Sequence, residues 1–359
     1  MRLAVIGIRG YPGVQGGVEI HCENLYPHFE NKIQVRVYRR KPYLTQLSHM
    51  EDEGVEFIDL PSSRIKGLEA VLHTFLCCLH LIFHRVDVVH VHNIGPGMFI
   101  PLLKLAGFRV CMTYHSANYE HKKWGAISKC ILRMSEYISL NFADRIIFVN
   151  KFQLEKFRKR IQEKSYYLPN GINIKERTES KEFLNKIGAQ EGEYLLSVGR
   201  LTQEKGFDIL IKSIQDLPEV KQVVIAGSCD HGSAYFDKLK ALDVNKKVIF
   251  SGFTTGEDLR ELYSNAKLYV LPSINEGFPL VMLEAMSYNL PLVVSDIPAT
   301  HLVKINADDY AQPGNVEDFA QKIRLMLARQ LGPVEYDLRE YDWDRIAQQT
   351  LDVYRKALR

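Results

Sequence analysis

The chain has 359 residues, of which 46% are hydrophobic and 25% are charged, and its formal net charge is +3. This length allows two hydrophobic cores of about 150 to 200 residues each, and the composition excludes a low-complexity chain. The charge is uneven, because residues 1–170 carry 23 Lys and Arg against 15 Asp and Glu, whereas the remainder carries 23 against 28. A basic first half suits an anionic membrane surface or a phosphorylated substrate, and a chance distribution over a solvated surface explains it as well.

The predicted elements begin with an apolar strand directly after Met1, without a basic leader or cleavage site, so the sequence predicts a cytoplasmic protein. The strand candidates of the first half are RLAVIGI, IQVRVYR, VEFIDL, VDVVHVH, RVCMTYH and DRIIFVN. Those of the second half are EYLLSVG, QVVIAGS, KVIFSGF, KLYVLPS, LPLVVSD and DYAQP. Short apolar strands that alternate with helical segments predict α/β domains with parallel sheets covered on both faces.

The alternation is interrupted near Pro169–Ile174 by a Pro-Asn-Gly turn and a charged run. We therefore place a first Rossmann-like domain at residues 1–170, a second at residues 171–342 and a terminal helix at residues 343–359. Two such domains are expected to face each other across a cleft, with ligands beyond the carboxyl ends of the strands.

One segment of the first domain, VLHTFLCCLHLIFH at Val71–His84, is the most apolar of the chain. It is shorter than the roughly 20 residues of a membrane span. Its pattern fits either a helix that covers a sheet or a surface that contacts a membrane, as does the region EHKKWGAISKCILRM that begins at Glu120.

The cysteines show neither metal-ligand spacing nor a disulfide framework. They predict buried thiols in a reducing compartment and no structural zinc site; the six residues are Cys22, Cys77, Cys78, Cys111, Cys130 and Cys229.

The first candidate site is the turn GIRGYPGVQGGVEIHCENL, which follows the first strand and opens a helix expected to continue to Phe29. Glycines there allow the backbone to approach an anion, so Gly16, Gly17 and Glu19 are predicted to bind a phosphate or a sugar substituent. A tight turn with a surface carboxylate is the plain alternative. Dinucleotide binding is disfavoured because the glycine spacing is not G-x-G-x-x-G.

The second candidate site lies in the later domain. Arg200 and Lys205 follow the strand YLLSVG at the start of a helix and form a cationic corner that suits a diphosphate. In NEGFPLVMLEAM, free amides at a helix start can bind phosphate, while Glu276 and Glu284 can accept hydrogen bonds from the hydroxyls of a sugar and a ribose. The turn between the two carboxylates completes the predicted substrate-binding set with Gly277, Phe278, Pro279 and Leu280.

With these residues in place, the chain resembles the retaining GT-B glycosyltransferases of family 4. The resemblance rests on GGVE at Gly16–Glu19, PNGI at Pro169–Ile172, VGRLTQEKG at Val198–Gly206 and NEGFPLVMLEA with its E-x7-E signature. It implies that Arg200 and Lys205 neutralise the donor diphosphate, that Glu276 contacts the donor sugar and that Glu284 contacts the ribose. It also implies that the terminal helix crosses back to the first domain.

The resemblance extends to bacterial enzymes that build surface polysaccharides. It implies a nucleoside-diphosphate sugar donor in the second domain and a lipid-linked or saccharide acceptor at the first. The family often places a histidine beside the donor sugar, and His115 is the matching candidate; a buried structural histidine is the alternative, as for His90 and His92. One departure is His301, where the family commonly has an acidic residue, and this weakens any assignment of the outer pocket.

The resemblance thus predicts transfer of a hexose with retained configuration, without a metal or another cofactor and without nucleic acid. A nucleotide-sugar epimerase and a non-catalytic nucleotide-sugar-binding protein remain the alternatives. An epimerase predicts conversion of the sugar without an acceptor, and a binding protein predicts affinity without turnover.

Overall fold

The computed structural model describes residues 1–14, 16–29, 32–49, 54–65, 67–117, 119, 125–174, 176–229, 234–329 and 332–359. Its strands form two sheets. The first sheet contains β1 Arg2–Ile6, β2 Gln34–Arg40, β3 Val55–Leu60, β4 Val88–His92, β5 Arg109–Tyr114, β6 Arg145–Phe148 and β7 Ser165–Tyr167. The second contains β8 Tyr194–Val198, β9 Gln222–Ala226, β10 Val248–Gly252, β11 Leu268–Leu271, β12 Leu292–Ser295 and β13 Tyr310–Ala311.

Both sheets are parallel in every pairing between described strands, with the orders β3-β2-β1-β4-β5-β6-β7 and β10-β9-β8-β11-β12-β13. The strand order reverses between β1 and β4 in the first sheet and between β8 and β11 in the second. Such reversals open a crevice at the carboxyl ends of the strands. The predicted fold class is confirmed, and all twelve strand candidates correspond to strands; β7, only three residues long, was missed.

The helices of the described residues are α1 Gly17–Leu25, α2 Leu68–Phe83, α3 Ile94–Gly97, α4 Ile100–Leu105, α5 Ala126–Phe142, α6 Lys151–Leu154, α7 Lys159–Gln162, α8 Glu182–Ile187, α9 Phe207–Ile214, α10 Ala234–Leu242, α11 Gly256–Asn265, α12 Leu280–Ser287, α13 Val316–Ala328 and α14 Trp343–Leu358. The prediction that α1 reaches Phe29 is wrong. The helix ends at Leu25 because Pro27 has no backbone N–H with which to continue the helical hydrogen bonds, and Phe29 lies in a separate 3₁₀ turn.

The chain forms two compact units, one of Met1–Gly171 with Glu340–Arg359 and the other of Ile172–Arg339. In the first unit, α14 packs on the sheet with β1 and α1 in one apolar core. Its Trp343 is buried, and a Cβ at Gly171 would lie 2.5 Å from the indole ring, so this contact requires glycine. The second unit has its own core between α9, α13 and the strands of its sheet.

Helix α2 contributes to the first unit with one face only. Its buried residues, which include Cys77, Cys78 and Leu81, pack in the core against the sheet. Its opposite face remains exposed although it is apolar, and it consists of Leu68, Val71, Leu72, Phe75, Leu79, Ile82 and Phe83. Within the described part of the chain, none of the helices has the length and apolar character needed to span a membrane.

The prediction of uniformly buried thiols is wrong in part. Cys130 is exposed because it lies on the outer face of α5, and Cys229 is half-buried. The other four cysteines are buried, and all six are free thiols.

Candidate functional site

The candidate site of the second unit lies where its strand order reverses. Strands β8 and β11 are hydrogen-bonded neighbours in this sheet. Arg200 follows β8 after one glycine, and the segment Ser273–Gly277 follows β11 closely. Because the carboxyl ends of parallel strands meet at one edge of the sheet, this topology brings the two predicted motifs together although they are distant in the chain.

Gly206 fixes the loop that carries Lys205 against the end of β11. Its φ angle is +65°, a left-handed conformation that glycine adopts without strain, and it ends the 3₁₀ turn Gln203–Lys205. A Cβ at this position would lie 2.1 Å from the carbonyl oxygen of Pro272. The amide of Ile274 also donates to the carbonyl of Glu204 at 2.8 Å. The two loops are therefore joined by backbone contacts that leave no room for a side chain.

Lys205 and Glu276 form an ion pair at this junction. The Lys205 ammonium donates to the Glu276 carboxylate at 2.6 Å, and the two side chains are only 19% and 10% exposed. The hydroxyl of Ser273, itself fully buried, donates to the same carboxylate oxygen at 2.6 Å. Glu276 is thus held in one orientation by two donors, and its second oxygen is the one that can accept from a ligand hydroxyl.

Glu284 lies on α12 and is held by a tyrosine of α11. The hydroxyl of Tyr263 donates to the Glu284 carboxylate at 2.8 Å, and the Tyr263 ring stacks on Tyr288 with centroids 5.3 Å apart. Burial, together with the neighbouring carboxylate, raises the pKa of Tyr263 well above its ordinary value. The phenol therefore remains protonated and serves as a fixed donor that orients the carboxylate.

The segment between the two glutamates forms the start of α12. Pro279 is the N-cap residue, and Leu280 is the first helical residue. Phe278 and Leu280 are buried, whereas Gly277 is half-buried. The amides of Leu280 and Met282 donate to the carbonyls of Phe278 and Pro279. The positive end of the helix dipole is therefore what can favour an anion beside the pair of Lys205 and Glu276.

In the first unit, the predicted glycine-rich turn leads into the first turn of α1. Gly16 is the N-cap residue with φ +156°, and Glu19 lies in the first turn of the helix, where it accepts from the backbone amide of Arg9 at 3.0 Å. A Cβ at Gly17 would meet no atom within 4 Å. The fold therefore has room for a side chain at position 17. A glycine at a position with such room is expected if a bound ligand occupies the space that the side chain would fill.

His115 follows β5 and belongs to a buried cluster of histidines in the first unit. Its Nε2 lies 2.9 Å from Nδ1 of His92, and its ring meets that of His21 edge to face at 5.0 Å. Burial, followed by the nearby His21 and His90, lowers the pKa of His115 well below its ordinary value. His115 is therefore a neutral imidazole that can either donate to or accept from a hydroxyl.

Sequence reasoning missed the residues that hold the predicted ones in place. Ser273 and Tyr263 orient the two carboxylates, and His21 completes the histidine cluster. Ser273 stands three residues before Glu276, so a short-range turn pattern could have indicated it. Tyr263 is 21 residues from its partner on a different helix, and the chain offers no local signal for that contact.

Comparisons with known proteins divide the chain within several residues of the boundary between its two units. The family model "Glycosyltransferase Family 4" matches residues 15–176, and "Glycosyl transferases group 1" matches residues 179–342. An uncharacterized glycosyltransferase of Methanocaldococcus jannaschii is 29% identical over 100% of this chain and 99% of its own length. The alpha-galactosylglucosyldiacylglycerol synthase of Streptococcus pneumoniae is 27% identical over 91% and 93%, respectively.

The crystal structure of HepE from Anabaena in complex with UDP-glucose has the same fold. The TM-score is 0.78, the sequence identity is 18%, and the match covers 98% of each chain. The two family models together account for nearly the whole length of the chain, and the structural match with HepE extends over nearly all of it. The chain therefore belongs to the family 4 glycosyltransferases with the GT-B fold.

Proposed function

We propose that this chain transfers a hexose from a nucleoside-diphosphate sugar to a hydroxyl of a saccharide or lipid-linked acceptor, with retained anomeric configuration. The proposed pathway is the synthesis of a cell-surface polysaccharide or glycolipid. The observation that carries the proposal is the contact between Lys205 and Glu276 beside the start of α12. A cation, a carboxylate and the positive end of a helix dipole thereby lie together in the domain to which we assign donor binding, residues 171–342.

Each group in this site suits a different part of the donor. Arg200 and Lys205 are assigned to the diphosphate, where they offset the negative charge that grows on the leaving group as the glycosidic bond breaks. Glu276 is assigned to hydroxyls of the transferred sugar and Glu284 to the ribose diol, because carboxylates form strong charge-assisted hydrogen bonds with hydroxyls. In this assignment the two cations and the N-terminus of α12 stabilise the leaving group, and no metal ion is required for that step.

Residues of the first unit complete the proposal. We assign Gly16, Gly17 and Glu19 to substrate binding and a hydrogen bond with the donor sugar to His115. The open space at Gly17 and the neutral state of the His115 ring support these assignments. The proton released by the acceptor hydroxyl is assigned to the leaving diphosphate, so no carboxylate of the chain is needed as the general base. We assign no nucleophile to the chain.

The donor base and sugar can be identified by a ligand screen. UDP-, GDP-, ADP- and dTDP-sugars would be tested by thermal shift, because a ligand that binds only the folded state raises its stability by mass action. UDP-glucose is the first candidate, since HepE binds it. The stabilising donor would then be incubated with acceptors while nucleoside diphosphate release is measured.

The same assay separates the competing functions. Release of nucleoside diphosphate, with a product whose anomeric configuration matches that of the donor, would support retaining transfer. Conversion of the sugar without release would indicate an epimerase, and stabilisation without either would indicate a binding protein. The matched variants are Lys205→Ala, expected to lose activity, and Lys212→Ala, an exposed lysine of α9 that should behave as the wild type.

We also propose that the first unit contacts an anionic membrane surface on the cytoplasmic side. Helices α2 and α5 both pack against α3, and each has an exposed apolar face. The exposed face of α5 consists of Ile127, Ile131, Met134 and Tyr137. The basic residues Lys129 and Arg133 lie on α5 as well. The residues Glu120–Trp124, which belong to the same predicted region, lie outside the described part of the chain. A basic, apolar surface of this kind suits binding to anionic lipid.

Co-sedimentation with vesicles of anionic lipid tests this second proposal. The wild type should bind at low salt and bind more weakly at high salt, because salt screens the attraction between basic side chains and anionic lipid. Phe83→Ser should reduce binding, since this side chain is 81% exposed on α2, whereas Val244→Ser, 77% exposed in the other unit, should not. The proposal would be contradicted if Phe83→Ser and Val244→Ser bound the vesicles equally well, or if the wild type did not bind them.

A further inference from the structure

Three buried histidines of the first unit come together from three different elements. His21 lies on α1, His92 is the last residue of β4, and His115 follows β5. One ring nitrogen of each lies within 4.8 Å of the corresponding nitrogens of the other two. The residues are 3%, 0% and 7% exposed, so the cluster is enclosed by protein.

The hydrogen bonds of His21 leave one of its nitrogens without a donor or acceptor. Its Nδ1 lies 2.7 Å from the amide oxygen of Asn170, which can only accept, so Nδ1 carries the proton. The lone pair is then on Nε2. That atom is buried and has no hydrogen-bond partner within the described residues. A buried polar atom without a partner costs free energy, and this one belongs to the histidine cluster.

The geometry of the three rings agrees with a shared ion. Zinc–nitrogen bonds of about 2.0–2.1 Å in a tetrahedral arrangement place the ligand nitrogens roughly 3.4 Å apart and the ring centres about 5 Å apart. The observed centroid distances are 5.0 Å for His21 and His115, 5.2 Å for His92 and His115, and 5.7 Å for His21 and His92. Nδ1 of His92 and Nε2 of His115, now 2.9 Å apart, would have to separate by about 0.5 Å.

The neighbours of the cluster resemble the supporting groups of metal-binding histidines. Such histidines usually pass their other ring proton to an oxygen acceptor, which fixes the ring and its tautomer. Asn170 does this for His21, and the hydroxyl of Tyr26, 2.6 Å from Nε2 of His92, can do it for His92. Three neutral imidazoles favour zinc, cobalt or nickel over magnesium or calcium, which prefer oxygen ligands.

We propose that His21, His92 and His115 form a binding site for a divalent transition-metal ion, with Zn²⁺ as the preferred ion and the fourth coordination position open. The site would join α1 to the ends of β4 and β5. Cysteine spacing predicts no structural zinc site, and it carries no information about three histidines that are far apart in the chain. The inference shares His115 with the proposed transfer reaction: Nε2 of His115 would bind the ion, which leaves Nδ1 for a hydrogen bond with the donor sugar. The leaving group is assigned to residues of the other unit and does not depend on the ion.

The test measures metal content in the full-length chain without an affinity tag. The background variant is His80→Ala with His84→Ala, because those two rings stack at 3.8 Å at the end of α2 and could bind zinc by themselves. The protein would be stripped with a chelator, loaded with Zn²⁺ alone, separated from free metal and analysed by mass spectrometry. We expect one equivalent per chain, and Co²⁺ in its place should give the strong visible absorption of a tetrahedral site.

The variants distinguish this site from unspecific binding. His21→Gln should weaken Zn²⁺ binding by at least about 100-fold, and Asn170→Ala should weaken it by about 10–100-fold through loss of the supporting acceptor. His90→Gln is the matched control, because His90 is equally buried and bonds to the same tyrosine but is not one of the three ligands; its metal content should equal that of the background.

Absence of a bound equivalent in the background protein would overturn the proposal, even if one of the variants fails to fold. It would also be overturned if folded His21→Gln, checked by circular dichroism, bound zinc as tightly as the His90→Gln control. Donor binding and turnover do not enter this measurement, so its outcome is separate from that of the proposed function.

Discussion

The ion pair between Lys205 and Glu276 predicts opposite effects of one substitution on binding and on turnover. Glu276→Gln keeps the shape of the side chain and its ability to accept from Ser273, but it removes the negative charge that lies 2.6 Å from the Lys205 ammonium. The full charge of Lys205 then becomes available to a diphosphate. We expect tighter binding of the nucleoside diphosphate and slower sugar transfer, because a neutral amide would hold the sugar hydroxyls less strongly than the carboxylate does.

The size of the effect follows from the geometry of the pair. A hydrogen bond between charged groups contributes about 1.5–3 kcal/mol, and the low exposure of both side chains, 19% and 10%, supports the use of this range. A diphosphate that replaces the carboxylate as the partner of Lys205 regains part of this energy. Affinity for the nucleoside diphosphate should therefore rise by about 1–2 kcal/mol, or roughly 5- to 30-fold. Turnover should fall by about 100-fold, which corresponds to one lost charge-assisted hydrogen bond in the transition state.

The assay is a double-mutant cycle read by calorimetry with nucleoside diphosphate. Lys205→Ala alone should weaken binding by roughly 10- to 100-fold, and Glu276→Gln should produce no gain in that background, because its gain acts through Lys205. Lys212→Ala serves as the control for loss of an exposed lysine on the adjacent helix. An equal gain from Glu276→Gln with and without Lys205 would refute the reasoning, as would undiminished activity of Lys205→Ala.

Three further predictions concern single positions. Gly206→Ala should destabilise the fold by about 2–4 kcal/mol in chemical unfolding, because its Cβ would meet a backbone carbonyl at 2.1 Å; Gly188→Ala, which shares the positive φ but has open space around it, should cost only about 1 kcal/mol. Tyr263→Phe should leave Glu284 without its buried donor and raise the KM for the nucleotide-sugar about 5-fold with little change in kcat, so a pure kcat effect would contradict this assignment. Gly17→Ala should unfold at the wild-type denaturant concentration yet lose transfer activity, and retention of full activity would remove Gly17 from the substrate-binding set.

Patterns within short segments made most of the fold predictable. The apolar strands, the helical spacing of the terminal segment and the interruption after Pro169 each depend on residues close in the chain, and β1, β8 and α14 lie where these patterns indicated. Boundaries were less predictable where a competing local effect acted, as at Pro27, which ends α1 before Phe29. The three-residue strand β7 was missed because so short a segment carries no periodicity.

The candidate site was predictable to the extent that its motifs are local. Glu276 and Glu284 could be paired because one precedes and the other lies on the same helix, and Arg200 and Lys205 because they share one loop. Their partners could not be identified in this way. The contact of Tyr263 with Glu284 depends on how α11 packs beside α12, and the contact of Lys205 with Glu276 depends on which strands are neighbours.

The sequence by itself determined the two α/β domains, the type of sheet and the family motifs, since periodicity and turn chemistry act over a few residues. Only the tertiary structure decided that Lys205 is paired with Glu276, that Gly206 has no room for a side chain and that His21 meets His92 and His115. Residues as far apart as His21 and Asn170 become neighbours through the order of strands in a closed core, and strand order is a property of the whole domain.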